Sequence, residues 1–362
     1  MRIGFFRDGQ FLPPHQGGSN SIYNMMNALI DKGEDVFLFR CFRGWDNPEW
    51  YKKEKFTTIF IKSRDFYQNS NLMRKLVINN KIQVCQFDSA EATLIQGKYL
   101  KDIAKVCWEV HNVNHILQSR LGVDRESINN TVRIERNASE IADLLLVRSE
   151  ADKQELADIG ISNQKMTVYR GSISAKEINF KLLRDGKNII FVGNLKYKPN
   201  ENAVRLICKT IAPLVISRYP DVRFLIAGPL NSPLQKGLAV PSNVVFLGEI
   251  AELGQLYDSA TVALCPVLEG SGTRIKILEY LAAGIPTIST SIGIEGLENE
   301  IKELLTVEDN IIKYPRLINR IISNPNKYRS TIESGRKFVL KNRDWNFTIY
   351  DVIDAYKSML TP

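Results

Sequence analysis

From its first residue the chain alternates short apolar runs with segments of helical period, and no other feature constrains its fold as much. Residues 2–7, 35–40, 81–87, 105–110, 143–147 and 166–169 read as strands in the first half. Residues 188–192, 222–227, 244–247 and 261–264 do so in the second. Helical patterns fall between them, from Gly17, over 126–142, from Ser149, over 200–217, and at 310–322, 326–341 and 345–360. Near-continuous apolar runs separated by helices are what a parallel sheet covered on both faces requires. At 362 residues the chain exceeds one ordinary core, so two α/β domains are expected. The first is expected over 1–175 and the second over 188–344, with 176–187, polar and without periodicity, as the linker.

Composition is that of an ordinary globular chain, with 44% apolar and 24% charged residues. The five cysteines, at 41, 85, 107, 208 and 265, are scattered and form no C-x-x-C, so reduced thiols are expected rather than disulfides or a zinc site. Arg7 and Asp8 in the first strand are unlike a signal peptide, and the uncharged stretches are too short or too polar to cross a bilayer. A cytoplasmic protein is the expectation. The net charge of +8 suits an anionic substrate or an acidic membrane surface. Nucleic acid is not expected, because no finger, RNP or basic-zipper pattern accompanies the charge. Residues 40–75 interleave basic side chains with Trp45, Trp50, Tyr51, Phe56, Phe66 and Tyr67. That pattern fits a membrane interface, an acceptor pocket, or half-buried strands with their loops, the last being favoured.

Residues 261–289 carry the strongest chemical signal. A buried strand leads into Gly270-Ser271-Gly272, where glycines let backbone N–H groups approach a ligand. Thr273 is placed to cap a helix whose apolar positions Ile275, Leu278 and Leu281 or Ala282 recur at helical spacing, and Gly284 and Pro286 stop it. A helix N-terminus favours anions. Arg274 and Lys276 fall in that first turn, where each cation opposes the dipole at a cost of about 0.3–1 kcal/mol. A bound polyphosphate would offset this, since each charged hydrogen bond contributes roughly 1.5–3 kcal/mol. Pairing of Lys276 with Glu279 is the plainer alternative. Gly17 and Gly18 open a helix at the first strand-to-helix turn, either as a phosphate or sugar contact or as a tight turn alone. His111 lies just past the strand 105–110, where open α/β sheets bind ligands; a capping or core histidine is the other reading.

The segment EGSGTRIKILEYLAAGIPTIST, from Glu269 to Thr290, resembles the donor-binding loop and helix of retaining, family 4 glycosyltransferases of the GT-B type. WEVHNVNH, from Trp108 to His115, is similar to that family's strand-end motif. The resemblance implies two Rossmann-like lobes facing a cleft, with the helix of 345–362 crossing back to the first. It implies transfer of a hexosyl unit from a UDP-, GDP- or dTDP-sugar to a hydroxyl acceptor, either a lipid-linked surface saccharide or a small natural product. It also implies that Gly17 and Gly18 face the donor, that His111 hydrogen-bonds a donor hydroxyl, and that Glu279 takes the ribose hydroxyls. No metal or other cofactor is expected, and the chain holds no D-x-D.

Two departures from the family pattern stand out. Asn194 occupies the place of a phosphate-binding arginine, so Lys196 on one side and Arg274 with Lys276 on the other are expected to supply the charge. Nine residues rather than seven separate Glu269 from Glu279, so either Glu269 or Ser271 with backbone N–H groups of Gly272 and Thr273 meets the sugar. Two rival functions are an epimerase of the same architecture and a non-catalytic sugar-binding protein.

Overall fold

The computed structural model describes residues 1–13, 17–184, 186–229, 238–250 and 252–361. The chain divides into two compact units: Met1–Pro14, Gly18–Gly171 and Trp345–Pro362 form the first, and Ser172–Asp344 belong to the second.

The first unit is built on a seven-stranded sheet in the order β3-β2-β1-β4-β5-β6-β7, every pair parallel. Its strands are β1 (Arg2–Arg7), β2 (Asp35–Phe42), β3 (Thr57–Lys62), β4 (Val84–Phe87), β5 (Lys105–Val110), β6 (Leu144–Val147) and β7 (Met166–Val168). Alternate residues feed two apolar layers. Phe5, Leu38, Cys107 and Leu146 enter one, and Phe6, Phe39, Trp108 and Leu145 the other. The helix Trp345–Leu360 buries Trp345, Ile349, Val352, Ile353 and Tyr356 in the first of these layers.

Residues 40–75 contain a strand that periodicity did not single out, β3, paired along Phe37↔Thr57 to Phe42↔Lys62. Arg40 is wholly buried there. Its Nη2 donates to Asp46 at 2.8 Å and its Nη1 to the carbonyl oxygen of Arg7 at 3.1 Å. Much of the charge in this stretch therefore holds loops together, while Trp45 and Trp50 remain exposed.

The second unit carries a six-stranded parallel sheet in the order β10-β9-β8-β11-β12-β13. The strands are β8 (Asn188–Val192), β9 (Arg223–Ala227), β10 (Val244–Gly248), β11 (Ala260–Cys265), β12 (Thr287–Ser289) and β13 (Thr306–Val307). Strand order reverses between β8 and β11, which hydrogen-bond as neighbours. The loops leaving such a pair diverge to opposite faces and open a crevice at the strands' C-terminal ends.

Two expectations are corrected here. The helix read over 200–217 is Lys198–Leu206, then a π-turn at Ile207–Ile211, then Ala212–Ile216. Pro213 has no N–H to donate into the ladder, and a wider turn ahead of it accommodates the loss. The segment expected as the linker, 176–187, belongs to the second unit in its described residues. Lys181 N donates to Ala283 O, and the buried Arg184 donates through Nη1 and Nη2 to the carbonyls of Lys181, Gly284 and Ala283. Among the described residues, no helix is long and apolar enough to cross a membrane.

Candidate active site

In the second unit the site is built from the loops that leave β8 and β11. After β11 the chain runs through Pro266 to Glu269 and turns at Gly270 (φ +118°) and Gly272 (φ +77°), conformations that side chains rarely adopt. The helix begins at Ile275 and ends at Ala283, with Gly284 in the left-handed region. Arg274 takes the N-cap position and Lys276 is the second helical residue. Thr273 does not cap. It is buried, and its hydroxyl donates instead to Gly296 O at 3.4 Å, and the residue at the N-cap, Arg274, makes no side-chain cap hydrogen bond. At the far end the carbonyls of Ala282 and Ala283 accept from Arg336 and Arg184. Cations there complement the helix dipole.

Arg274 is buried and donates through Nη1 to the carbonyls of Ser271, at 2.6 Å, and of Gly272. It thereby braces the glycine turn. Its Nη2 is buried without a hydrogen-bond partner, and a Cβ at Gly270 would lie 2.8 Å from it. A buried donor left unmade costs about 1–3 kcal/mol.

Lys276 reaches toward β8. Its Nζ donates to Asn200 Oδ1 at 2.8 Å and lies 4.1 Å from the centre of the Phe191 ring. A Cβ at Gly193 would come within 2.7 Å of that nitrogen, so the glycine is what admits the lysine. Burial pulls the Lys276 pKa down to about 8, opposed by Cys265 and reinforced by Arg274. Its direct partners are Asn200 and Phe191, and the Glu279 carboxylate instead accepts from Tyr257 OH at 3.1 Å. Burial raises the Glu279 pKa against the opposing effects of that hydrogen bond and of Lys276.

The other expected residues of this unit fall on the same two loops. Asn194 folds inward: its Oδ1 accepts from Lys196 N at 3.0 Å and its carbonyl accepts from Asn200 Nδ2 at 3.0 Å. The Lys196 side chain is exposed. Glu269 accepts from Asn202 Nδ2, and Ser271 is buried beside it in the turn. Asn200, Asn202 and Tyr257 were not picked out from the sequence. The first two sit in P-N-E-N at a helix start, a signal that could have found them. Among the described residues, no group of three or more His, Cys, Asp or Glu is arranged to hold a metal ion.

In the first unit the helix Gly17–Asp31 opens at Gly17 and Gly18; residues 14–16 ahead of it lie outside the described residues. His111 follows β5 directly. Its Nδ1 lies 2.7 Å from Arg148 Nη2 and its Nε2 3.3 Å from Glu109 Oε1. His115, one helical turn on, is buried against Glu135 at 2.6 Å and reads as structural. Glu109 and Arg148 were also not anticipated, although a charge at the end of an otherwise apolar strand is a visible cue.

Fold and site define a two-unit, doubly wound α/β protein with a candidate anion site at the switch point of the second sheet. The model for Glycosyltransferase Family 4 matches residues 15–174, and that for Glycosyl transferases group 1 matches residues 186–324. The chain belongs to this glycosyltransferase family and has the GT-B fold.

Over 165 residues it is 26% identical to an uncharacterized 44.6 kDa protein in the cps region of Klebsiella pneumoniae, covering 43% of this chain and 42% of that one. Over 185 residues it is 22% identical to phosphatidyl-myo-inositol mannosyltransferase of Mycobacterium tuberculosis, covering 49% and 48%. The matched stretches thus span somewhat under half the length of these curated relatives. Anabaena HepE, solved in complex with UDP, superposes with a TM-score of 0.74 at 14% identity over 99% of this chain and 100% of that one.

Proposed function

We propose that the chain is a cytoplasmic, retaining glycosyltransferase that moves a hexosyl unit from a nucleoside-diphosphate sugar to a hydroxyl acceptor without a metal ion. One observation carries the reading: at the switch point Lys276 bonds Asn200 and Gly270 lies against Pro199, both just after β8, while Arg274 braces the glycine turn with its buried Nη2 unpartnered. During transfer the bond from the anomeric carbon to the diphosphate oxygen breaks, and negative charge gathers on the diphosphate. Fixed cations and backbone N–H groups stabilise that charge most when they are held in place beforehand. The acceptor hydroxyl attacks on the face the diphosphate leaves, and its proton passes to the departing phosphate oxygen.

Within this reading Arg274, Lys276 and Lys196 meet the diphosphate, and Gly17 and Gly18 are donor contacts. Glu279 accepts from the ribose hydroxyls, and Glu269, held by Asn202, accepts from a sugar hydroxyl. His111 packs beside the donor sugar. UDP is the first nucleotide to test, because HepE has been solved with UDP and with UDP-glucose. Exposed Trp45 and Trp50, near Lys52 and Lys53 in sequence, support a peripheral contact with an acidic membrane surface.

The test is release of nucleoside diphosphate from UDP-, GDP- and dTDP-sugars, with and without EDTA. Release that is unchanged by the chelator is expected. An isomerised nucleotide sugar with no release would make the chain an epimerase, and loss of activity restored by Mg²⁺ would refute metal independence.

A further inference from the structure

The side chains that gather behind His111 come from four neighbouring strands of the first sheet and from helices packed on it. Glu109, in β5, is fully buried. Its Oε2 accepts from Gln86 Nε2 of β4 at 2.7 Å, and its Oε1 from Arg148 Nη2 at 3.1 Å and from Tyr169 OH. Arg148, just after β6 and 5% exposed, donates through Nε to Tyr169 OH at 3.0 Å, and its Nη2, whose two hydrogens serve Glu109 and the nearer His111 Nδ1, also lies 3.1 Å from Ser21 Oγ. Tyr356, from the last helix, donates to Gln86 Oε1. A buried charge pair with this many partners is held to one geometry, because loss of any partner leaves a desolvated charge.

This frame decides where the His111 proton sits. A guanidinium only donates, so at the 2.7 Å contact with Arg148 Nη2 the Nδ1 of His111 must offer its lone pair. The ring proton is then on Nε2, the nitrogen turned toward the Glu109 carboxylate. We propose that Arg148 and Glu109 are positioning residues that lock His111 as a neutral, Nε2-protonated imidazole, so that His111 serves transfer as a fixed ring rather than as a titrating acid.

The part concerning transfer rests on the placement of His111 beside the donor sugar; the tautomer does not. Among the described residues, the charged groups acting on His111 are Glu109 from β5, Arg148 after β6 and Arg7 at the end of β1, and Tyr169 after β7 acts on Glu109. Burial, and then the charge of Arg148, hold the His111 pKa below the ordinary histidine value. Arg148 stays charged: burial opposes its charge, but Tyr169 and Glu109 outweigh that effect.

The chain has three histidines, so long-range ¹⁵N–¹H spectra of histidine-labelled protein resolve each ring, and His111→Gln assigns the resonance. The expected result is an Nε2-protonated His111 that does not titrate near the usual histidine value. In Arg148→Met the paired cation is gone and Glu109 remains, so the His111 pKa is expected to rise into the ordinary range or above. The turnover of Arg148→Met should fall on the order of 10²-fold and acquire a new acid limb, with nucleoside-diphosphate affinity unchanged. Arg148→Lys, which keeps the charge but not the fork, should give an intermediate loss without moving the titration as far. Should Arg148→Met fail to fold, the wild-type tautomer and Arg148→Lys still decide. An Nδ1-protonated or normally titrating His111 in the wild type would overturn the proposal. So would an Arg148→Met variant that leaves the ring's titration unchanged, or an Arg148→Lys variant that keeps full turnover. Absence of any diphosphate release would instead count against the glycosyl-transfer reading and leave the tautomer to the spectra.

Discussion

Lys276 shows how position rather than residue type sets a side chain's chemistry. It sits near the start of a helix, where a cation is disfavoured, and it is half-buried against Phe191 and Asn200 with its pKa pulled down to about 8. The sign of the resulting pH dependence follows from that depression. Between about pH 8 and the ordinary lysine value the unfolded chain binds the proton that the folded chain releases. This group therefore penalises folding most below pH 8, and the penalty is relieved as pH rises through that window. A polyanion reverses the preference, because it favours the ammonium. Nucleoside-diphosphate binding above pH 8 should take up a proton, and its affinity should fall as pH rises. Calorimetry in buffers of different ionisation enthalpy reads that uptake directly, and Lys276→Met should abolish it. The sequence displayed the two cations and the glycines but not their partners. Asn200 lies 76 positions from Lys276, and no periodicity links residues that far apart.

The helix Ile275–Ala283 is held differently at its two ends. Its N-terminal amides are left without a side-chain cap, while Arg184 and Arg336 satisfy its last carbonyls. The turn after β9 holds the opposing loop equally tightly. A Cβ at Gly228 (φ +140°) would stand 1.8 Å from Gly193 O. Gly228→Ala should destabilise the chain by about 1–3 kcal/mol and weaken nucleotide binding by shifting Gly193 and Asn194. Gly254→Ala, whose Cβ meets nothing within 4 Å, should do neither. Urea denaturation and nucleotide titration of both variants separate these outcomes.

At this scale most strands were legible, since a doubly buried strand writes itself as an apolar run, and β1, β5 and β8 lie where the pattern put them. β3 was hidden because it lies at the sheet edge and reads T-T-I-F-I-K among charges. The cap at Thr273 was misplaced because its hydroxyl found Gly296, a partner set by tertiary packing.

For the whole molecule, the return of the chain matters most. The helix Trp345–Leu360 belongs to the first unit although the second lies between them in sequence. Its own pattern says only that one face is apolar; which unit that face covers was implied by family resemblance alone. Burying Trp345, Ile349, Val352, Ile353 and Tyr356 at roughly 1.5–3 kcal/mol each is comparable to the whole stability of a domain, about 5–15 kcal/mol. A chain ending at Asp344 should therefore lose the cooperative unfolding of its first unit while the second retains its own. Scanning calorimetry with limited proteolysis would show this, and an unchanged profile would contradict it.

The central claim is that the leaving diphosphate is held by the glycine turn, Arg274 and Lys276, and calorimetric titration of UDP, GDP and dTDP tests it most directly. At least one is expected to bind, and Arg274→Ala to weaken that binding roughly 10- to 150-fold, the equivalent of a charged hydrogen bond of about 1.5–3 kcal/mol. Binding of equal strength in the variant, or no binding of any of the three to the wild type, would contradict it.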